Sequence, residues 1–261
     1  MTTFDIDAFR NTDSWTDDPS MPLRRENSAV ANWTTRGIIS NSDGHRGYFK
    51  HYSGRHQPQG AFEFIVTELT RMSGIATPPM QLLELDGKHG LVSHFPAEAQ
   101  GAAFHTWNQM PQWADIDTFF ENPNDIRATA ILDFWVFNMD RNGLNSIYCH
   151  PPGSTSRSWF AIDPAICLTF CPLWPQWETV QSIADFYQQF PMERFDRFIT
   201  SMSQVEPYLA RMESLDDGYI SGMFDALSKA GYIESTVSEN AVKVVLGRQR
   251  MLRPSVHALL A

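Results

Sequence analysis

Hydrophobic and polar positions show two different periodicities along this 261-residue chain, one typical of strands and one typical of helices. In the first half, residues 34–39 and 48–52 are rich in strand-forming types and flank a polar, glycine-containing turn at 40–47, which predicts a β-hairpin. Residues 80–85 and 90–95 predict a second hairpin. Between the hairpins, apolar residues recur at helical spacing and predict one amphipathic helix: Phe62, Ile65, Val66, Leu69 and Met72.

Helical periodicity dominates the second half of the chain. Residues 125–137 predict a long apolar helix, and residues 146–149 and 158–162 predict two short strands. Further helices are predicted over 178–190, 192–212, 216–229 and 237–249. A sheet-rich part followed by a helical part indicates the α+β class, with the seam near residues 96–99.

The charge balance narrows the classes of partner. Twenty Lys and Arg residues against thirty Asp and Glu residues give a net charge of −10. This acidity argues against a surface for nucleic acid or for a membrane, because such surfaces need an excess of positive charge. Five of the acids fall in the first twenty residues among polar neighbours, so residues 1–27 are predicted to form a polar, acidic arm.

Cysteine content and targeting signals bear on the compartment. The three cysteines, Cys149, Cys167 and Cys171, are not followed by a second pair at zinc-finger spacing. Their small, odd number is typical of a reducing compartment. The start of the chain has no basic segment before an apolar run, and no stretch approaches eighteen apolar residues. These features predict a cytoplasmic protein.

Candidate chemistry is concentrated after the predicted helix 125–137. Asp140 and Asn145 lie five residues apart on a glycine-containing loop, and Asp163 follows the second short strand. Phosphoryl transfer needs one carboxylate to orient or deprotonate the attacking hydroxyl, while an amide oxygen and another carboxylate hold Mg²⁺. The interval from Asp140 to Asn145 equals that of the protein-kinase catalytic loop.

Upstream residues supply the other components of such a site. Lys50 ends a strand directly after the turn 40–47, so its ammonium could reach nucleotide phosphates that this turn covers. An acid in the following helix could pair with Lys50 and fix its position. Both Glu63 and Glu68 flank the apolar stripe of that helix, and periodicity does not choose between them.

Two blocks of this sequence resemble the HipA-like kinases, relatives of the phosphatidylinositol-kinase-like branch of the protein-kinase fold. The first block, residues 62–78, is similar to the family's Glu-bearing helix and its Gly-apolar-x-x-Pro turn. The second block, residues 133–163, carries the family's Asn-x-Asp-x-x-x-x-Asn loop and later Asp as Asn138, Asp140, Asn145 and Asp163. With Lys50, the resemblance extends over about half of the chain.

This resemblance implies a two-lobed kinase fold and an activity that uses ATP and Mg²⁺. The small β-rich lobe with its key helix would span residues 28–96, and the larger, mostly helical lobe residues 97–261. The acceptor would be a protein Ser or Thr hydroxyl, on another protein or on the chain itself, and a DNA-binding antitoxin-like partner is a further implication. The implied roles are Asp140 as base, Asn145 and Asp163 as metal ligands, Lys50 with Glu63 at the phosphates, Ser42 and Gly44 in the phosphate loop, and Phe95 with Ala97 against the adenine.

Several departures from the family pattern keep other functions open. Arg141 or Asn142 stands where the family has a His, and the turn 40–47 has no strict glycine pattern. A pseudokinase or nucleotide-binding scaffold that acts through a protein partner is therefore one alternative. A kinase for a lipid or small molecule, or a transferase of AMP, is another.

Overall fold

In the computed structural model, an antiparallel sheet and one long helix form a small lobe, and helices dominate the rest of the chain. The predicted α+β class is confirmed. The structure describes residues 4–10, 15–17, 24–25, 34–95, 104–112, 114–150, 153–164, 166–168, 174–190 and 192–261. The predicted boundary between the lobes at 96/97, and Ala97 with it, lies outside these residues.

The sheet of the small lobe has six strands. They are β1 (Trp15–Asp17), β2 (Arg24–Arg25), β3 (Thr34–Asn41), β4 (Arg46–Tyr52), β5 (Met80–Leu85) and β6 (Lys88–His94). Their order is β1-β3-β4-β6-β5, and β2 also pairs with β3. Both predicted hairpins are present as β3–β4 and β5–β6, and β4 pairs with β6 in the centre.

Helix α1 (Gln57–Met72) packs against this sheet. Its predicted apolar stripe is buried, with Phe62, Ile65, Val66 and Leu69 each 0% exposed. Burial extends beyond the stripe to the polar residues on its flanks, because the helix contacts strands on one side and helices of the large lobe on the other. The two acids of α1, Glu63 and Glu68, are therefore buried and need partners inside the protein.

The large lobe is built around a helix that is buried on all sides. Its elements are β7 (Phe104–Thr106), α2 (Ile116–Phe119), α3 (Pro123–Trp135), β8 (Ser146–Cys149), β9 (Ser158–Ala161), α4 (Ile183–Gln189), α5 (Glu206–Ser214), α6 (Asp217–Lys229), α7 (Ser235–Gln249) and α8 (Leu252–Leu260). Strands β7, β8 and β9 form a small antiparallel sheet. Helix α3 is tied to α7, where Trp135 Nε1 donates to the Val245 carbonyl at 2.9 Å. No helix among the described residues is long and apolar enough to cross a membrane.

Part of the predicted N-terminal arm belongs to the folded core. Strand β1 pairs with β3 as an outer strand of the sheet. Phe4 is buried, stacks on Phe9 at 5.2 Å between ring centroids, and meets Tyr219 of α6 edge-on at 5.8 Å. Phe9 in turn contacts Phe64 of α1 at 5.3 Å. The acidic composition of this stretch concealed these aromatic contacts, so for residues 4–10 the predicted arm is corrected to a packed segment between α1 and α6.

The predicted helix over 192–212 is wrong as a continuous element. The chain instead forms 3₁₀ turns at Phe195–Phe198 and Met202–Gln204, and α5 begins only at Glu206. Pro207 accounts for this start, because a proline lacks the amide hydrogen that a helix interior requires but fits the first turn. Similarly, the helix predicted over 178–190 is shorter and begins after Ser182, whose hydroxyl accepts from the Asp185 amide.

Candidate active site

A buried ion pair joins strand β4 to helix α1. Lys50 Nζ lies 2.6 Å from Glu63 Oε1, and the Tyr52 hydroxyl donates to Glu63 Oε2 at 2.7 Å. Lys50 and Tyr52 are two residues apart on β4, so both side chains leave the same face of the strand. Both oxygens of Glu68 are instead occupied by Arg71, at 2.9 and 2.6 Å. Of the two acids that the sequence left open, Glu63 is therefore the partner of Lys50.

A second carboxylate reaches the same ammonium from the large lobe. Asp163 follows β9 in a left-handed backbone conformation, with φ of 52°, and its Oδ1 lies 2.7 Å from Lys50 Nζ. Burial acts to lower the pKa of Lys50, but the negative charges of Asp163 and Glu63 outweigh it, so the pKa is raised. Burial raises the pKa of Glu63, and Lys50 opposes that change. Lys50 thus stays charged between two acids from different lobes.

The loop that follows α3 holds Asp140 and Asn145 together. The Asn145 amide nitrogen donates to the Asp140 carbonyl at 2.6 Å and to Asp140 Oδ2 at 3.1 Å. Asn142 donates to Asp140 Oδ1 at 3.2 Å. Burial raises the pKa of Asp140 and the charge of Asp163 adds to this, whereas the amides of Asn145 and Asn142 and the charge of Arg141 oppose it. The net direction is upward, which suits a carboxylate that takes up a proton.

A cavity of about 370 Å³ opens beside these charged groups. One end is polar, with Lys50, Glu63 and Asp163, and the remainder is mostly apolar. Such a cavity can hold a flat, apolar ring system at one end and an anionic group at the other. Phe95, which was predicted to lie against the adenine, is one of the residues that line it. The other residues of its wall include Ile38, Tyr48, Thr77, Ser93, Phe104, Ile147 and Ile162.

Comparison with known proteins identifies the fold. No protein-family model matches the chain, and no curated protein matches its sequence. The crystal structure of the Helicobacter pylori proinflammatory kinase CtkA is similar, with a TM-score of 0.62 and 13% sequence identity over 93% of this chain and 94% of that one. The chain has a kinase-like fold. The two-lobed architecture expected from the sequence resemblance is thereby confirmed.

Two further solved structures are similar at a TM-score of 0.45. One is HipA of the Shewanella oneidensis MR-1 toxin–antitoxin system, in complex with HipB and operator DNA, with 12% identity over 99% of this chain and 70% of that one. The other is the Rio2 kinase of Chaetomium thermophilum, in an ADP/Mg²⁺-phosphoaspartate complex, with 14% identity over 88% of this chain and 71% of that one.

The donor groups of this kinase-like fold are suited to Mg²⁺. Asn145 and Asp163 offer amide and carboxylate oxygens, the hard ligands that Mg²⁺ prefers, and Asp140 lies close enough to Asp163 for their charges to interact. A cation between these groups would relieve the repulsion between the two acids. Mg²⁺ is usually held by one or two carboxylates together with substrate phosphates and water. The protein therefore need not supply more ligands than Asn145 and Asp163.

Ser42 and Gly44, predicted to cover nucleotide phosphates, lie away from the cavity of this kinase-like fold. Both are exposed in the turn between β3 and β4, and neither lines the cavity. Arg46 pairs with Ser40 at the turn, and Lys50 lies four residues further along β4. At about 3.3 Å per residue this separates Lys50 from the start of the strand by about 13 Å. The prediction is corrected because a hairpin turn lies at one end of its strands, whereas Lys50 faces the cavity well inside β4.

Arg141 is a structural residue of the site that the sequence did not reveal. Its guanidinium is 1% exposed, and its Nε and Nη2 each lie 3.0 Å from the Asp133 carboxylate on α3. It also donates to the Asn145 carbonyl, and to the Ile162 carbonyl at 3.0 Å. One side chain thus ties α3, the Asp140 loop and the residue before Asp163 together. The only signal in the sequence was that Arg141 or Asn142 stands where the family that the sequence resembles has a His.

Proposed function

We propose that this chain is an ATP- and Mg²⁺-dependent kinase that transfers the γ-phosphoryl group to a protein Ser or Thr hydroxyl. The observation that carries the proposal is the position of Lys50. Its ammonium lies between Glu63 and Asp163 at the polar end of a cavity that can accept a nucleotide, and Asp140 and Asn145 lie on a loop beside Asp163. The kinase-like fold supports the proposal but does not identify the acceptor.

Each residue has a defined part in the proposed reaction. The Lys50 ammonium binds the nucleotide phosphates, and Glu63, itself held by Tyr52, fixes the position of Lys50. Asn145 and Asp163 would hold Mg²⁺, which when bound neutralises charge on the phosphates. The purine would lie in the apolar part of the cavity, near Phe95. Ala97, expected beside the adenine, lies outside the described residues.

The proposed step transfers the γ-phosphoryl group from ATP to the acceptor oxygen and the acceptor proton to Asp140. The acceptor oxygen forms a bond to the γ-phosphorus while the bond from that phosphorus to the β–γ bridging oxygen breaks, and ADP leaves. The proton of the acceptor hydroxyl passes to the Asp140 carboxylate. Asn145 and Asn142 hold this carboxylate in place through their amide nitrogens. The raised pKa of Asp140 makes it a better proton acceptor than an ordinary aspartate.

The test combines binding, transfer and mass. ATP with Mg²⁺ should raise the unfolding temperature of the purified chain, and radiolabelled ATP should transfer phosphate to the chain or to a mixture of Ser- and Thr-containing peptides. Asp140→Asn should abolish transfer without abolishing ATP binding. Asp225→Asn, an exposed acid paired with Lys229 on the surface of α6, is the matched control and should remain active.

The outcomes separate the alternatives. ATP binding without transfer to protein, lipid or small molecule would indicate a nucleotide-binding scaffold. Phosphate transfer only to a lipid or small molecule would show that the acceptor is not a protein hydroxyl. An intact-mass increase corresponding to AMP would indicate adenylyl transfer. Absence of ATP binding would contradict the proposal as a whole.

An antitoxin-like protein partner stays a prediction. It can be tested by asking whether a protein encoded beside this chain co-purifies with it and suppresses its transfer activity. A partner that co-purifies without affecting activity would contradict an antitoxin role.

A further inference from the structure

Leu144 is an exposed aliphatic residue in the middle of the proposed catalytic machinery. It lies between Asp140 and Asn145 and is 63% exposed. In the part of the chain that the structure describes, Phe104, at 36%, is the only other large hydrophobic residue exposed to solvent in this way. The exposure of Phe104 is explained by its position: it lines the proposed nucleotide cavity and contacts Phe95, with 5.4 Å between the ring centroids. Leu144 does not line that cavity, so a bound nucleotide would leave it uncovered.

The exposure of Leu144 is imposed by its neighbours. Its amide donates to Asn142 Oδ1 at 2.8 Å, and on its other side the Asn145 side chain is bonded to Asp140. Gly143 lies so close to Asn108 that any side chain at Gly143 would overlap the Asn108 amide. The loop is therefore fixed on both sides of Leu144, and this side chain has no route into the core.

We propose that Leu144 selects the acceptor, by contacting a bulky aliphatic side chain next to the Ser or Thr that receives the phosphate. This inference rests on the proposed kinase function and adds the chemical class of the acceptor segment. An exposed apolar side chain beside a reacting group contributes most when a partner covers it, because burial removes its apolar surface from water. The acceptor hydroxyl must approach Asp140, which brings neighbouring residues of the acceptor close to Leu144.

The surroundings favour a polypeptide over a lipid. Leu144 is a single exposed aliphatic residue flanked by Gly143 and Asn145, so its apolar area matches one side chain and is too small to cover an extended acyl chain. The net charge of −10 also disfavours approach to an anionic membrane surface and favours acceptor segments that carry basic residues. The expected acceptor is therefore a peptide segment with Leu, Ile, Met or Val at one fixed position near the Ser or Thr.

The experiment uses a peptide library with a central Ser or Thr and randomised flanking positions. The wild-type chain should select aliphatic residues at one flanking position. Leu144→Glu should lose that preference and select Lys or Arg at the same position, and its kcat/KM for an aliphatic peptide should fall at least about tenfold. Ala258→Glu adds the same charge at an exposed position of α8 and should keep the wild-type preference. The Kd for ATP is measured for each variant as a check on nucleotide binding.

Each result decides one question. If the wild-type chain transfers phosphate to peptides but Leu144→Glu keeps the same preference, the inference is wrong and the kinase function stands. An absence of any aliphatic preference in the wild type would overturn it in the same way. If the wild type transfers phosphate neither to itself nor to any peptide, the proposed function has failed before the inference is tested. A weaker ATP affinity in Leu144→Ala, which adds no charge beside the phosphates, would assign Leu144 to nucleotide binding instead.

Discussion

Lys50 and Asp163 connect the two lobes through an ion pair with 2.7 Å between Nζ and Oδ1. The same ammonium is bonded to Glu63, so three charged groups share one polar end of the cavity. Phosphates and a metal ion would compete for these partners, with the phosphates drawn to Lys50 and the metal ion to Asp163. In the proposed kinase, nucleotide affinity and this internal ion pair would therefore depend on each other.

Lys50→Met should weaken ATP binding and destabilise the chain. The methionine fills a similar volume but leaves Glu63 and Asp163 without a counter-charge, and removing one member of a buried pair typically costs about 3–5 kcal/mol of unfolding free energy. Urea unfolding and the ATP-induced change in unfolding temperature measure the two effects. Lys229→Met, which removes an exposed ammonium on α6, should change either quantity little. Equal losses in both variants would contradict the assigned role.

Tyr52→Phe tests whether Glu63 must be held from both sides. The variant loses one hydrogen bond to a charged group, worth about 1.5–3 kcal/mol, and frees Glu63 to move relative to Lys50. We expect a several-fold rise in the KM for ATP. Tyr208→Phe is a matched control. The Tyr208 hydroxyl donates to Asp125 Oδ1 at 2.6 Å, and neither residue lines the cavity. Both variants should lose stability, but only Tyr52→Phe should change the KM for ATP; an unchanged KM would show that Tyr52 is only structural.

The pH dependence of transfer should report the raised pKa of Asp140. Below that pKa the carboxyl is protonated and cannot take the proton of the acceptor hydroxyl, so kcat/KM should rise with pH and its acidic limb should lie above the range of an ordinary aspartate. The contribution of Asp140 to folding stability should change with pH in the opposite direction. A raised pKa means that the folded chain binds this proton more readily, so its contribution to stability is present at low pH and is lost as pH rises through the raised pKa.

Asn142→Asp should move this limb further upward. The substitution removes an amide that donates to Asp140 and adds a negative charge, while an oxygen remains to accept from the Leu144 amide. A profile of kcat/KM against pH measures the shift. Asn240→Asp on α7 introduces the same change elsewhere and should leave the limb in place. A limb that stays in place in Asn142→Asp would argue against Asp140 as the titrating base.

Arg141→Met should destabilise the chain more than a typical core substitution. It leaves the Asp133 carboxylate, which is 0% exposed, without its guanidinium and releases the Asn145 and Ile162 carbonyls. A loss of about 3–5 kcal/mol in unfolding free energy is expected. Arg141→Lys keeps the charge but has no planar fork to bridge these acceptors, so it should recover stability only in part. Full recovery by lysine would show that charge alone matters.

The local patterns of the sequence predicted the elements that have an apolar stripe at regular spacing or a clear turn. The stripe of α1 and the hairpin turns are repeated chemical signals, so periodicity was sufficient for them. Interactions between distant segments carry no such signal. The choice of Glu63 over Glu68 depends on where β4 lies relative to α1, and the competing bond from Arg71 decides the role of Glu68. The fork from Arg141 to Asp133 likewise exists only because the chain turns back after α3.

The wrong predictions have equally specific causes. The turn containing Ser42 and Gly44 has the composition of a loop over phosphates, but the strand register takes it to the far end of β4. The irregular glycine pattern of this turn was one reason to consider a nucleotide-binding scaffold. The turn does not line the cavity, so the pattern gives no information about nucleotide binding there. Phe4 and Phe9 were hidden in an acidic segment because their contacts with α1 and α6 come from far along the chain.

The left-handed backbone at Asp163 limits how this position can be probed by mutation. Among residues other than glycine, Asp and Asn tolerate a positive φ best, whereas alanine would suffer a steric cost of about 1–2 kcal/mol there. An alanine variant would remove the carboxylate and also bend the chain next to Ile162, and an inactive protein could then be read as proof of metal binding when the loop had simply moved. The substitution Asp163→Asn would preserve the backbone and isolate the charge. Routine alanine scanning is thus the wrong tool at this one residue, and the amide is the informative replacement.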